Sequence, residues 1–166
     1  MATIKNLKDL YLDGVKDLYS ACKQSIPVTE EMAKAAKNAD LKSALDASVK
    51  GTREGMASME KLARAHDEDP AGEHCKGMEG LVAEARKHAL ETEFEDDDTQ
   101  DAAIIAQYQR LAHYAITGYG TLKAWAKRLD LAEDSKVLDE ATASTYEGDE
   151  TMTKIAVKGG VNKAAM

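Results

Sequence analysis

The stretch QRLAHYAITGYGTLKAWAKRL, residues 109 to 129, places one histidine among tyrosines on a segment of helical periodicity. Ala112 and Ala115 stand where such a face could have carried acids, and histidine with carboxylates is the donor set of a transition-metal site. The face is expected to bury His113 and Tyr119 as neighbours. His113 and Tyr114 follow Ala112 by roughly 100° and 200° around a helix, so the three cannot aim at one point. Tyr108, Tyr114 and Tyr119 could serve redox chemistry, but aromatic residues on a helix more often pack and anchor a hydroxyl. Cys22 reads as a small buried hydrophobe. His66, His74 and Cys75 could gather a surface metal, although in so charged a segment they are expected to be solvated, which makes Cys75 the thiol that reagents reach first. Met56, Met59 and Met78 fit core filling, and EFEDDD lacks the fixed spacing of a calcium loop.

The elements that position these residues are helices. Aromatic residues make up only 5 % of a chain whose hydrophobic content is 43 %, so the core must come from Leu, Ala, Met and Val. At 166 residues the chain is long enough for one core and short for two. A net charge of −8 argues against nucleic acid, which needs clustered Lys and Arg to displace counterions. No stretch approaches twenty apolar residues and residues 1–25 carry no secretory apolar region, so neither membrane nor export is expected and the location implied is cytoplasmic. Two cysteines without CxxC spacing suit reduced thiols.

Apolar spacing predicts a first helix over about 5–25, ended by Pro27, with Thr29 capping a short following segment. Asn38-Ala39-Asp40 reads as a stop and restart before a helix from Leu41 to His66. HDEDPAGEH is a connection, a shorter third helix covers about 74–90, and an acidic loop at 93–101 offers Asp98 or Thr99 as cap for a fourth helix over about 100–129. A fifth runs over about 134–158, giving a single domain of residues 1–158. Gly159-Gly160 then stops it, and 159–166 is expected to be a flexible tail. Four long helices with a short third one as crossover predict an all-α, ferritin-like four-helix bundle.

LKDLYLDGVKDLYSACKQ, MEGLVAEARK and DAAIIAQYQRLAHYAITGYGTLKAWAKRL resemble segments of the YciE/YciF family of bacterial ferritin-like proteins, and the likeness extends over nearly the whole chain. The resemblance implies a cytoplasmic, often dimeric helical bundle, linked to stress responses and usually metal-binding. The ligand motifs differ here. Where the family has a first-helix motif like DELRDLYDAEKQ, this chain has DGVKDLYSACKQ, with Gly14 and Cys22 at expected glutamates. HLxETxxQ becomes SVKGTREG, placing Ser48, Gly51 and Gly55 at ligand positions. EHYE becomes AHYA, so Ala112 and Ala115 replace glutamates, and the fifth helix carries Ser144 and Thr145 at its glutamate pair.

On this register Gly14, Cys22, Ser48, Gly51, Gly55, Ala112, Ala115 and Ser144 converge from four helices. Either the helices close over these small residues or they enclose space. Close packing is the expectation, since interiors rarely leave voids; otherwise an apolar pocket results, with Cys22, Thr52, Tyr119 and Ser144 as its polar fixtures. The function expected is a non-catalytic, stress-associated binding or assembly module, a homodimer with a degenerate di-metal site, no cofactor and an unidentified small-molecule ligand at most. The competing expectation is a di-iron or di-manganese oxidoreductase, ferroxidase-like or peroxide-handling, with non-standard ligands.

Overall fold

The computed structural model describes residues 3–165, and all regular structure among them is helical. Helix α1 spans Leu7–Ala35, α2 Ala39–Ala65, α3 Lys76–Ala85, α4 Asp97–Arg128, α5 Ala132–Val157 and α6 Val161–Ala164. A π-helical turn, Arg86–Leu90, extends α3, so one irregular helix covers most of the predicted third segment. Short connections fold α1 onto α2 and α4 onto α5, and α3 crosses between the two hairpins. Tyr11, Val15, Leu41, Leu45, Met59, Ile104, Leu138 and Met152 are fully buried between them, a core with the composition that the scarcity of aromatic residues requires.

The starts of three helices follow from side-chain chemistry. Asn6, Asn38 and Asp96 each accept backbone N–H groups of the first turn, which would otherwise lack partners. Asp96 therefore caps α4, and Asp98 and Thr99 lie inside its first turn. Five acids or hydroxyls in a row, Glu95 to Thr99, leave the cap position ambiguous in the sequence. The Asp96 carboxyl lies below the usual carboxylate range, first through the Thr99 hydroxyl and then through the backbone N–H it accepts.

Pro27 does not end α1. It lies inside the helix, and Thr29 donates its hydroxyl to Ser25 O rather than capping anything. A proline here deprives the Lys23 carbonyl of its partner, yet Lys23 and Pro27 both face solvent, which can satisfy that oxygen. Val28 and Met32 beyond it are fully buried, and their packing holds the last two turns in place. At the other end of the chain the expected loose tail is structured over Val161–Ala164: Gly160 turns the chain at φ 86°, and Val161 is 1 % exposed in the core.

Two polar ties lock the hairpins. Asp101, 1 % exposed on α4, accepts Lys37 N–H at 2.9 Å and Asn38 N–H at 2.7 Å, holding the α1–α2 connection. At the opposite end one oxygen of Asp134 accepts the Tyr11 hydroxyl at 2.8 Å and meets His66 Nε2 at 2.7 Å, joining α1, the end of α2 and the start of α5. His66 is thus a structural partner, not the solvated residue expected.

Candidate functional site: a hydroxyl-lined cavity between the helices

Cys22, Ser48, Gly51, Thr52, Gly55, Ala112, Ala115, Tyr119 and Ser144 line one cavity of about 590 Å³ bounded by α1, α2, α4 and α5. Gly14 is the exception. It faces a separate outer groove of about 640 Å³ with Leu18, Leu122 and Trp125, and a methyl on it would come 2.7 Å from Leu122 Cδ2. The outer groove is as large but almost wholly apolar, whereas the inner one carries the thiol and hydroxyls.

The expected close packing is therefore corrected. A methyl group built on Gly51 meets nothing within 4 Å, so the helices do not close over it. Long core side chains set the helix separation, and glycine or alanine at the facing positions leaves the difference empty. The lining is also less apolar than expected. Tyr108 donates to Ser48 Oγ at 2.8 Å, Thr145 joins Ser144 on the lining, and Ser25, Thr29, Ser58 and Thr151 add hydroxyls outside the positions of the family register. Their signal was available in part: Ser25–Thr29 and Ser48–Thr52 repeat a small polar residue every four positions on one helical face.

On the wall, Cys22 Sγ and Tyr119 Oη lie 3.1 Å apart. Gly55 makes room for this pair, because a methyl there would fall 2.6 Å from Tyr119 Oη. Burial pushes the Cys22 thiol up to about 11, against the lowering effect of its hydrogen bond with Tyr119. Burial, with Cys22 alongside, also raises the Tyr119 phenol well above its ordinary range.

His113 is not buried beside Tyr119. Its side chain is 61 % exposed and its Nε2 lies 3.0 Å from Asp149, because six residues along a helix set the two about 120° apart around its axis. Cys75 is likewise misplaced by the sequence reading: it caps α3 and is fully buried. Met78 N–H donates to its sulfur, its thiol lies 2.9 Å from Tyr114 Oη, and Tyr114 in turn donates to Asp17. Since the Tyr114 proton goes to Asp17, the thiol supplies the proton between them.

Both thiols are therefore neutral at ordinary pH, and Cys22, beside a cavity, is the one a small reagent can reach. Native alkylation at pH 8 is expected to be on the order of a hundredfold slower than for a free cysteine, with Cys22 modified before Cys75. The thiol's contribution to stability is full below its unfolded value of 9.0 and is lost as pH rises through about 11. Replacing Cys22 by Ala should flatten that part of an alkaline denaturation profile; an unchanged profile would mean that the thiol is not held neutral.

The metal implied by the resemblance can be tested against these donors. Within the cavity the carboxylates Glu54, Glu140 and Glu147 are all exposed, and the ligand positions offer a thiol, hydroxyls or no side-chain donor. No group of three His, Cys, Asp or Glu able to hold a metal ion occurs among the described residues. Two hard cations need bridging carboxylates and imidazoles, and the residues present do not fit that requirement.

Two helical hairpins joined through a short crossover, enclosing a site between facing helices, define an all-α protein of the ferritin-like class. The chain belongs to the YciF family: the family model described as a domain of unknown function, DUF892, matches residues 6–166. Protein YciF of Escherichia coli (strain K12) is 30 % identical over 163 residues, covering 98 % of this chain and 96 % of that protein. The crystal structure of the E. coli stress protein YciF superposes with a TM-score of 0.88 at 27 % identity, covering 96 % of this chain and 99 % of that one. YcfI from Rhodopseudomonas palustris gives 0.86 at 29 % identity, covering 93 % and 97 %. No helix among the described residues is long and apolar enough to cross a membrane.

Proposed function

We propose that this chain is a non-catalytic, stress-associated binding module in which the metal site implied by the family resemblance has degenerated into a ligand cavity. The observation that carries the reading is the cavity itself: the positions read as lost metal ligands, Gly14 apart, line open space with hydroxyls and one thiol. The stress association rests on the relative described as a stress protein, and a cytoplasmic homodimer is the accompanying expectation. Analytical ultracentrifugation showing only monomer would remove the dimer without touching the cavity.

Metal analysis separates this function from an oxidoreductase. Protein purified after growth with iron and manganese is expected to hold no stoichiometric amount of either, and to oxidise added ferrous iron no faster than buffer does. Two tightly bound ions per chain would overturn the proposal.

The space itself is tested at Gly51. Gly51→Ala should stabilise by roughly 0.8–1 kcal/mol, the helix-propensity gain, because its methyl meets no atom within 4 Å. Gly51→Leu should fold at least as stably as the parent while filling the cavity. A loss of about 1–3 kcal/mol on Gly51→Leu, the usual cost of overpacking, would mean that the bundle is closed in solution.

A further inference from the structure

The cavity wall constrains the chemistry of whatever occupies it. Thr29, Ser48, Thr52, Ser58, Thr145 and Thr151 each donate their hydroxyl proton to the carbonyl one turn earlier in their own helix. With the protons committed, these oxygens present lone pairs to the space they line. Tyr108 spends its proton on Ser48, and one of the two protons of Cys22 and Tyr119 lies in the bond between them. The wall thus offers more acceptors than donors, its donors being the Ser144 hydroxyl, the second proton of the Cys22–Tyr119 pair and Lys61.

Charge points the same way. Glu54, Glu140 and Glu147 lie on the lining and Lys61 is its one basic side chain, in a chain of net charge −8. An anion would find few donors and three carboxylates. A purely apolar ligand would strip water from acceptors without replacing its hydrogen bonds. An ammonium group brings three donors and a positive charge, and meets both needs. No buried side-chain nitrogen or oxygen among the described residues lacks a partner, so the chain can fold with the cavity holding only water. A space of about 590 Å³ is within the range of small-molecule sites.

We propose that the acceptor-lined cavity between α1, α2, α4 and α5 binds a protonated small organic amine of the di- or polyamine class, a proposal that rests on the binding-module reading above. The test is calorimetric titration of the dialysed full chain with spermidine and putrescine, against glycerol and sodium chloride of matched ionic strength. One saturable amine site per chain is expected, with no saturable site for glycerol or sodium. Glu54→Gln combined with Glu140→Gln should weaken it about tenfold at low salt. Gly51→Leu should abolish it, and Ala115→Leu, which blocks the space from the facing helix, serves if the first variant misfolds.

Amine binding that survives both blocking variants lies on the acidic surface and overturns the proposal. Absence of amine binding overturns it too. In that case a neutral or anionic compound that co-purifies, seen by native mass spectrometry and expelled by Gly51→Leu, would leave the binding-module reading standing; stoichiometric iron or manganese would remove that reading as well.

Discussion

Asp101→Ala is expected to lower the stability of the chain by about 2–4 kcal/mol, since two backbone N–H groups lose a charged acceptor that is itself 1 % exposed. The Lys37 and Asn38 amides belong to the connection that turns α1 into α2, so the loss falls on the joint of the first hairpin. Asp101→Asn offers one acceptor oxygen instead of two and should retain part of the stability. Urea midpoints at unchanged slope measure both variants. A loss below about 1 kcal/mol for the alanine variant would mean that water serves those amides equally well.

Gly55→Ala is expected to cost about 1–3 kcal/mol by overpacking, offset only in part by the roughly 1 kcal/mol that alanine gains in helix propensity. Its methyl would fall 2.6 Å from Tyr119 Oη, and the nearest ring carbon is at 3.6 Å. Removing the oxygen should therefore remove the conflict. In a Tyr119→Phe background Gly55→Ala is expected to be neutral or stabilising, and the coupling from the double-mutant cycle should approach the whole cost of the single change. Gly51→Ala, one turn away, should behave in the opposite way. Equal responses at the two glycines would show that the cavity wall is not placed as described.

The contrast between these glycines shows where the sequence stops being informative. Both are identical residues four apart on one helical face, and the family register puts both at ligand positions. Only the positions of neighbouring helices reveal that Gly55 is filled by Tyr119 and Gly51 by nothing. Gly14 has the same sequence signature and belongs to a different surface altogether. The convergence of the other nine residues was legible, because each is fixed by helical spacing and a shared register.

What the sequence by itself determined is the all-helical class, the five main helices, the restart at Asn38 and membership of the family. These depend on local terms that a sequence displays directly: the 3.6-residue apolar period, capping side chains, turn residues and motif spacing. Tertiary structure decided the rest. It carried α1 through Pro27, because burial of Val28 and Met32 outweighs a solvent-facing carbonyl without a helical partner. It drew His66 and Cys75 out of a charged connection into hydrogen bonds with Asp134 and Tyr114, and turned His113 outward to Asp149. It left a cavity where close packing was expected. Each of these outcomes depends on the distance between segments far apart in the chain, and that distance is set by the sum of core side chains across the bundle, which no local pattern contains.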